Sequence, residues 1–332
     1  MKKTNWFYIA LAMFGLILFA TACSGGDDTT EEEQQEDAQT EETEDTSGEE
    51  ATGERTVTDA MGNEVTVPAD PQNIIASYLE DYLVALDVTP AAQWSVQNGE
   101  SVQGYLQDSL GDVPTIPYDL PLEAVASFEP DLLLMDSAGM VEGNKYDQYS
   151  RIAPTYVVGE AQNNDWRDEL QRVAEVLGKE DQAQQVLDDY EQKVEETKTA
   201  VQDAIGDESI AALWLTGGTF YVVNDQLSSG DVLYNDLEVT APNVVQEIAD
   251  SSESNWSEIS LEKLAQLDAD HIFLLNGDGE EAEMLQDDIW QNIPAVQNGN
   301  VYEYDSDDSS WLYTGPIANT KMLEDIQESL VE

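Results

Sequence analysis

From residue 55 onward the chain alternates short apolar runs with stretches of helical periodicity, the pattern of α/β units. Thr56-Val57-Thr58-Asp59 and Glu64-Val65-Thr66-Val67 flank Met61-Gly62-Asn63 and predict a hairpin. Residues 73–76 predict a strand, 79–86 a helix, and the apolar run 131–135 a parallel strand buried on both faces. Beyond residue 200 a similar order returns, with strands predicted at 210–215, 220–223 and 270–275. An internal repeat joins the halves: residues 120–134 align with 259–273 at an offset of 139 residues, each copy a two-turn helix, an acidic turn and a buried strand. Two lobes of like topology are therefore expected. Between them, 166–177 and about 179–204 are helical, with Gly178 breaking the first helix and Gly206 ending the second. Val186, Tyr190, Val194, Thr197 and Val201 mark one face of the second helix, which at 1.5 Å per residue is about 39 Å long. That length can bridge two lobes; packing within one is the alternative.

Charge narrows the function. The 332 residues carry 12 Lys and Arg against 70 Asp and Glu, a formal net charge of −58, with one His and one Cys. Such a surface repels polyanions and anionic lipid alike, which argues against nucleic-acid binding. One Cys excludes an intramolecular disulfide and one His a multi-histidine metal site, so no metal and no cofactor is expected. With the 14 acids of residues 24–54 and the two leader lysines set aside, 56 acids and 10 bases remain over residues 55–332, a net of −46. The folded body is itself acidic. A carboxylate-rich surface stays hydrated where concentrated salt screens its self-repulsion, which points to a halophilic or haloalkaliphilic host.

Residues 1–22 contain Lys2-Lys3, an apolar run from Trp6 to Phe19 and then Ala20-Thr21-Ala22, the zones of a secretory leader. The run is shorter than the roughly 20 residues a spanning helix needs. Cys23 directly follows the small residues and resembles the lipobox of bacterial prolipoproteins, which implies cleavage before Cys23 and a lipid anchor upon it. Ala20 stands where that pattern usually has Leu, and an ordinary secretory leader with an incidental Cys is the alternative. Residues 24–54 hold no large apolar side chain and cannot bury a core, so they are expected to form a disordered acidic tether spanning about 30 Å.

The remaining segments match a family in order. Thr58-Asp59-Ala60-Met61-Gly62-Asn63-Glu64-Val65-Thr66-Val67-Pro68, Leu122-Glu123 through Glu129-Pro130-Asp131-Leu132, Ile152-Ala153-Pro154-Thr155, Gly230-Asp231-Val232-Leu233-Tyr234, Ile259-Ser260-Leu261-Glu262 and Trp290-Gln291-Asn292-Ile293-Pro294 together resemble the substrate-binding lipoproteins of ABC importers for ferric siderophores, haem and cobalamin. The resemblance covers essentially all of residues 56–330. It implies two Rossmann-like lobes joined by a single long interdomain helix, the helical-backbone type of periplasmic binding protein. The implied organisation is a leader at 1–22, a lipid-anchored tether at 23–54, an N-terminal lobe at 55–162, a helical segment at 163–206 and a C-terminal lobe at 207–332. It also implies a monomer at the extracellular face of the membrane that works with a permease and a cytoplasmic ATPase. In the family, acids at equivalent helix starts dock onto permease arginines, and Glu123 and Glu262 hold those positions here. Stabilisation of the helix dipole, about 0.3 to 1 kcal/mol each, is the partner-free alternative.

Ligands of open α/β sheets sit outside the carboxyl ends of the strands, and a two-lobed binder adds the cleft between its lobes, where the ligand is expected to be captured. The segments expected there carry the candidate ligand-binding residues Tyr78, Trp94, Tyr105, Trp214, Thr216, Tyr221, Trp311 and Tyr313, and their only cationic side chain is Lys145. A ferric tris-catecholate or ferric citrate complex is anionic and would need Arg or Lys to offset its buried charge. Ferric hydroxamates are neutral or cationic and can be held by aromatic faces and Tyr or Trp donors, so a hydroxamate complex is the favoured ligand. Hydroxamate binders of the family often carry a pocket Arg, and none is matched here; cobalamin and haem remain alternatives. Trp214 can instead point into the core, Trp256 and Trp290 read as packing residues, and His271 as structural.

No catalytic group is expected. The chain lacks a Gly-x-Ser-x-Gly elbow, and His271, the only His, lies in an apolar strand. An adhesion module or a secreted enzyme is the alternative of another class, and adhesion would leave the aromatic residues unexplained. The charge balance yields one direct expectation: resistance to urea should increase as salt is raised from dilute to molar concentration. Equal resistance at both would refute the salt-adapted reading.

Overall fold

The computed structural model describes residues 53–331 apart from 162, 251, 253, 308 and 309. The leader, Cys23 and the tether as far as residue 52 lie outside the described residues. Strands β1 (Arg55–Thr58) and β2 (Glu64–Val67) form the expected antiparallel hairpin. Asp59 closes its turn, with Oδ1 accepting the backbone N–H groups of Met61 at 2.9 Å and Asn63 at 2.8 Å. The Ala60 N–H then donates to the Val157 carbonyl at 2.9 Å, which pins the hairpin tip to the first lobe.

That lobe is built on five parallel strands: β3 (Ile74–Ile75), β4 (Gln93–Ser95), β5 (Thr115–Pro117), β6 (Leu132–Ser137) and β7 (Thr155–Gly159). Their order is β5-β4-β3-β6-β7, with β3 and β4 meeting through a bridge between Ile75 and Ala92. The second lobe has β8 (Ile210–Thr216), β9 (Thr219–Val223), β10 (Trp256–Glu258), β11 (His271–Asn276) and β12 (Val301–Asp305), in the order β10-β9-β8-β11-β12. The two orders are equivalent, as the repeat implies. The directions are not, because β9 runs antiparallel to β8. Gly217 and Gly218, at φ of +58° and +73°, supply the two positive dihedrals of a tight hairpin turn where the first lobe has a longer crossover.

Side-chain alternation along the strands sorts the interior into three cores. Leu132 and Leu134 of β6, Tyr156 and Val158 of β7, Ile210 and Ala212 of β8, and Phe273 and Leu275 of β11 point into one core that both lobes share. Leu133 and Met135 face a core confined to the first lobe, and Leu213, Leu215, Ile272 and Leu274 one confined to the second. The shared core is covered by the helices Trp166–Leu177, Glu180–Ile205 and Pro316–Val331. The bridging helix Glu180–Ile205 buries Ala183, Leu187, Tyr190, Val194, Thr197 and Val201, so its inner face is set by Leu187 while Val186 is only half-buried. Each fully buried aliphatic side chain contributes about 2 kcal/mol, which makes separation of the lobes costly.

The helix Pro316–Val331 receives its cap from the other end of the chain. Asp81, in the short helix Glu80–Ala85, accepts the Ile317 N–H on Oδ1 and the Ala318 N–H on Oδ2, both at 2.9 Å. The carboxylate thereby satisfies donors that a helix start leaves open. Its approach requires a residue without Cβ: Gly315 sits at φ +152°, and a Cβ there would lie 2.6 Å from Asp81 Cγ. Gly315→Ala is expected to lower stability by about 1–3 kcal/mol, read as the urea midpoint of the unliganded protein. An unchanged midpoint would show that the cap can yield without cost.

Candidate functional site

The site forms where β3, β4 and β6 end. The turn after β3 holds Tyr78 at φ +71°, a left-handed conformation that is costly for a large side chain, and leaves the residue 41% exposed. Trp94 lies on β4, Tyr105 in the short turn of helix Gly104–Leu106, and Tyr313 just before Gly315. Their rings converge: Tyr78 to Trp94 is 5.6 Å, Trp94 to Tyr313 6.5 Å, Tyr78 to Tyr313 6.3 Å and Tyr105 to Tyr313 5.4 Å. Tyr105 also donates its hydroxyl to Asp81 Oδ2 at 2.9 Å, so one carboxylate holds both the helix start and a ring of the cluster.

The other four candidates go elsewhere. Trp214 and Tyr221 face each other across β8 and β9 at 5.4 Å, with Trp256 6.3 Å beyond. Trp214 packs against the shared core, and Thr216 is half-buried at the end of β8. None of these walls the cavities described below. Trp311 is fully buried, lies 4.7 Å from Phe273 and donates Nε1–H to Asp325 at 2.8 Å. The turn Ser310–Leu312 directs it inward, while Leu312, Tyr313 and Thr314 face the space between lobes, so the cleft role expected for Trp311 does not hold. Trp290 stacks on Phe220 at 5.0 Å in the second-lobe core. His271 is held by Glu208 at 2.8 Å and Tyr302 at 3.2 Å, at the amino end of β11. Glu123 and Glu262 are exposed, each the second residue of its helix, Leu122–Ser127 and Leu261–Leu264.

Two cavities meet at Tyr78 and Asp136. The larger, about 950 Å³, is walled entirely by residues 61–160, so it belongs to the first lobe. The smaller, about 240 Å³, lies between lobes. Met61, Tyr78 and Tyr118, three of the five large apolar side chains exposed among the described residues, all wall the larger cleft. A concentration of exposed apolar surface at one concave face marks a binding face. Neither cavity is walled by Lys or Arg, and Lys145 is exposed outside both. Acids are present instead: Asp136, Glu142 and Glu160 in the larger, and Asp136, Asp165, Glu169 and Asp231 in the smaller. Among the described residues no group of three or more His, Cys, Asp or Glu is placed to hold a metal ion, and no helix is long and apolar enough to cross a membrane.

Sequence reasoning missed Met61, Tyr118 and Asp136 as named site residues. Asp136 had a legible signal, a carboxylate closing the most apolar strand of the first lobe. Met61 and Tyr118 had none, since both lie in turns whose orientation depends on the whole lobe.

The geometry is that of a binding protein: two lobes on a common helical backbone and a concave aromatic face at the strand ends. The chain belongs to the periplasmic binding protein family, whose model matches residues 79–307. It is a solute-binding protein and not an enzyme. It is 27% identical over 331 residues to the iron(3+)-hydroxamate-binding protein FhuD of Bacillus subtilis, covering 98% of each chain. It is 30% identical over 254 residues to an iron-uptake system-binding protein of the same organism, covering 72% of this chain and 75% of that one. Among solved structures, a FhuD fold-family periplasmic binding protein component of a Fep/Fec-like ferrichrome ABC transporter from Bacillus subtilis superposes with a TM-score of 0.69 at 26% identity, covering 83% of this chain and 100% of that one.

Burial raises three acids at the site above the ordinary carboxylate range: Glu80 to about 8, Asp136 to about 7 and Asp81 to about 6. Glu80 is fully buried, accepts the Trp94 N–H on Oε1, and has no hydrogen-bond partner for Oε2. The folded chain therefore keeps protons at these positions that the unfolded chain has already released. Their contribution to stability is fully present below about pH 4 and is lost as pH rises through about 8. Glu80→Gln is expected to match the parent near pH 4 and to exceed it by about 3 kcal/mol at pH 9 in urea denaturation. A constant difference across that range would overturn the assignment.

Proposed function

We propose that this chain is a membrane-anchored extracellular solute-binding protein that captures an iron(III)–hydroxamate complex in the first-lobe cleft and delivers it to an ABC permease. The observation that carries this reading is the wall of the cleft, where Tyr78, Trp94 and Tyr118 gather without a single Lys or Arg. An anionic iron complex would be desolvated there with no compensating cation and would face Asp136, Glu142 and Glu160. A neutral or cationic hydroxamate complex has no such cost and gains from the aromatic faces. The relative named as an iron(3+)-hydroxamate-binding protein supports the same class of ligand.

Anchoring would come from lipidation of Cys23, with the acidic tether letting the body reach the permease. Glu123 and Glu262, both exposed at equivalent helix starts, are the proposed contacts to it, one from each lobe. A core shared by both lobes and spanned by the bridging helix opposes a wide hinge, so capture involves a small closure.

The test is a tryptophan-fluorescence titration in high salt with ferrioxamine, ferrichrome, ferric citrate, a ferric catecholate, haem and cobalamin. Quenching by a hydroxamate at sub-micromolar concentration is expected, and Trp94→Ala should weaken it by about tenfold. Tight binding of only the anionic complexes would overturn the hydroxamate assignment, haem or cobalamin alone would move the chain to those ligands, and no binding at all would return an adhesion role.

A further inference from the structure

The two cavities differ in chemistry as well as size. The larger has the volume expected of a ligand pocket, whereas the annex of about 240 Å³ falls below that range and suits only an arm of a ligand. Most acids of the annex already have partners. Glu169 accepts from the Tyr82 hydroxyl at 2.6 Å and from Asn164 Nδ2 at 2.9 Å. Asp231 accepts from Asn235 at 2.7 Å and lies 3.9 Å from Arg167. Asp165 caps the helix Trp166–Leu177.

Asp136 is the least compensated of them. It is the penultimate residue of β6 at the junction of the cavities, is 8% exposed, accepts a side-chain hydrogen bond from the adjacent Ser137 and has Glu169 as a like charge. A carboxylate so placed without a cation is costly to maintain. Beside it Tyr78 is held in its left-handed conformation, and Tyr78, Trp94 and Tyr313 meet at tilted and edge-on angles of 52–82°, an arrangement that does not stack their faces against one another. Carboxylate and aromatic faces together favour an organic cation.

Building on the hydroxamate reading, we propose that the annex is a subsite for a protonated amine carried by the iron complex, with Asp136 as its counter-ion. Three hydroxamates neutralise iron(III), so a ligand with a pendant ammonium arm has a net positive charge at the end remote from the metal. The iron core occupies the first-lobe cleft, and the arm passes Tyr78 into the annex. There the ammonium meets Asp136 and the aromatic faces of Tyr78 and Tyr313. The chain then discriminates among hydroxamates by the charge of a group that does not touch iron.

The test compares the full chain's affinity for ferric desferrioxamine B, which carries the ammonium, with that for its N-acetylated derivative, which has the same iron core and no charge. The expected result is at least tenfold tighter binding of the ammonium complex, falling to a ratio near one in Asp136→Asn. The wild-type ratio tests recognition of the arm without any variant, and near-ultraviolet circular dichroism establishes that Asp136→Asn is folded. A wild-type ratio near one, or a preference that survives Asp136→Asn, overturns the subsite. If neither complex binds, the hydroxamate reading itself fails and the subsite falls with it.

Discussion

A single buried carboxylate sets the relation between the two ends of this chain. Asp81 belongs to the first lobe, yet it accepts the opening N–H groups of the last helix and the hydroxyl of Tyr105. Those three donors partly offset its burial, which still raises its proton affinity to about 6. Tyr313 lies two residues before Gly315, whose missing side chain admits the carboxylate. The aromatic cluster is thus assembled from both ends of the sequence by the same contact that caps the helix. A displacement of Asp81 would move Tyr105 and Tyr313 together.

The shared core gives that contact its stiffness. In many two-lobed binders each lobe would have its own interior and the connection would flex. Here alternate residues of β6, β7, β8 and β11 enter a common interior, and three helices seal it. Trp311 illustrates the consequence: its indole is taken up by Phe273 and Asp325, within that interior, and is unavailable to a ligand. Rigidity of this kind lets a cleft be pre-formed, which limits the ordering cost of binding.

Acidic residues play opposite parts outside and inside. On the surface they are hydrated, and their mutual repulsion is relieved by salt. Inside, Glu80, Asp81 and Asp136 cost stability in their charged forms and are retained at the rim of the aromatic cleft. Glu80 supports the backbone of Trp94, and Asp81 supports Tyr105. Two of the three therefore act through the rings, and the third faces the cavities directly. Stability has been given up beside the aromatic cleft, as functional sites commonly require.

Local pattern was enough to read much of the architecture. The hairpin at residues 55–67, the buried strand of Leu132 to Met135, the helix Trp166–Leu177 and the bridging helix all follow from spacing, because their decisive contacts lie within a few residues. The internal repeat likewise carried the likeness of the two lobes, whereas the strand order and the reversal of β9 at Gly217-Gly218 came only with the folded sheets. Tertiary structure alone decided that Tyr313 faces the interlobe space while Trp311 does not, that Asp81 caps a helix more than 230 residues away, and that the larger cleft belongs to the first lobe. These outcomes depend on which distant residues reach the same point in space, and periodicity along a chain has no record of that.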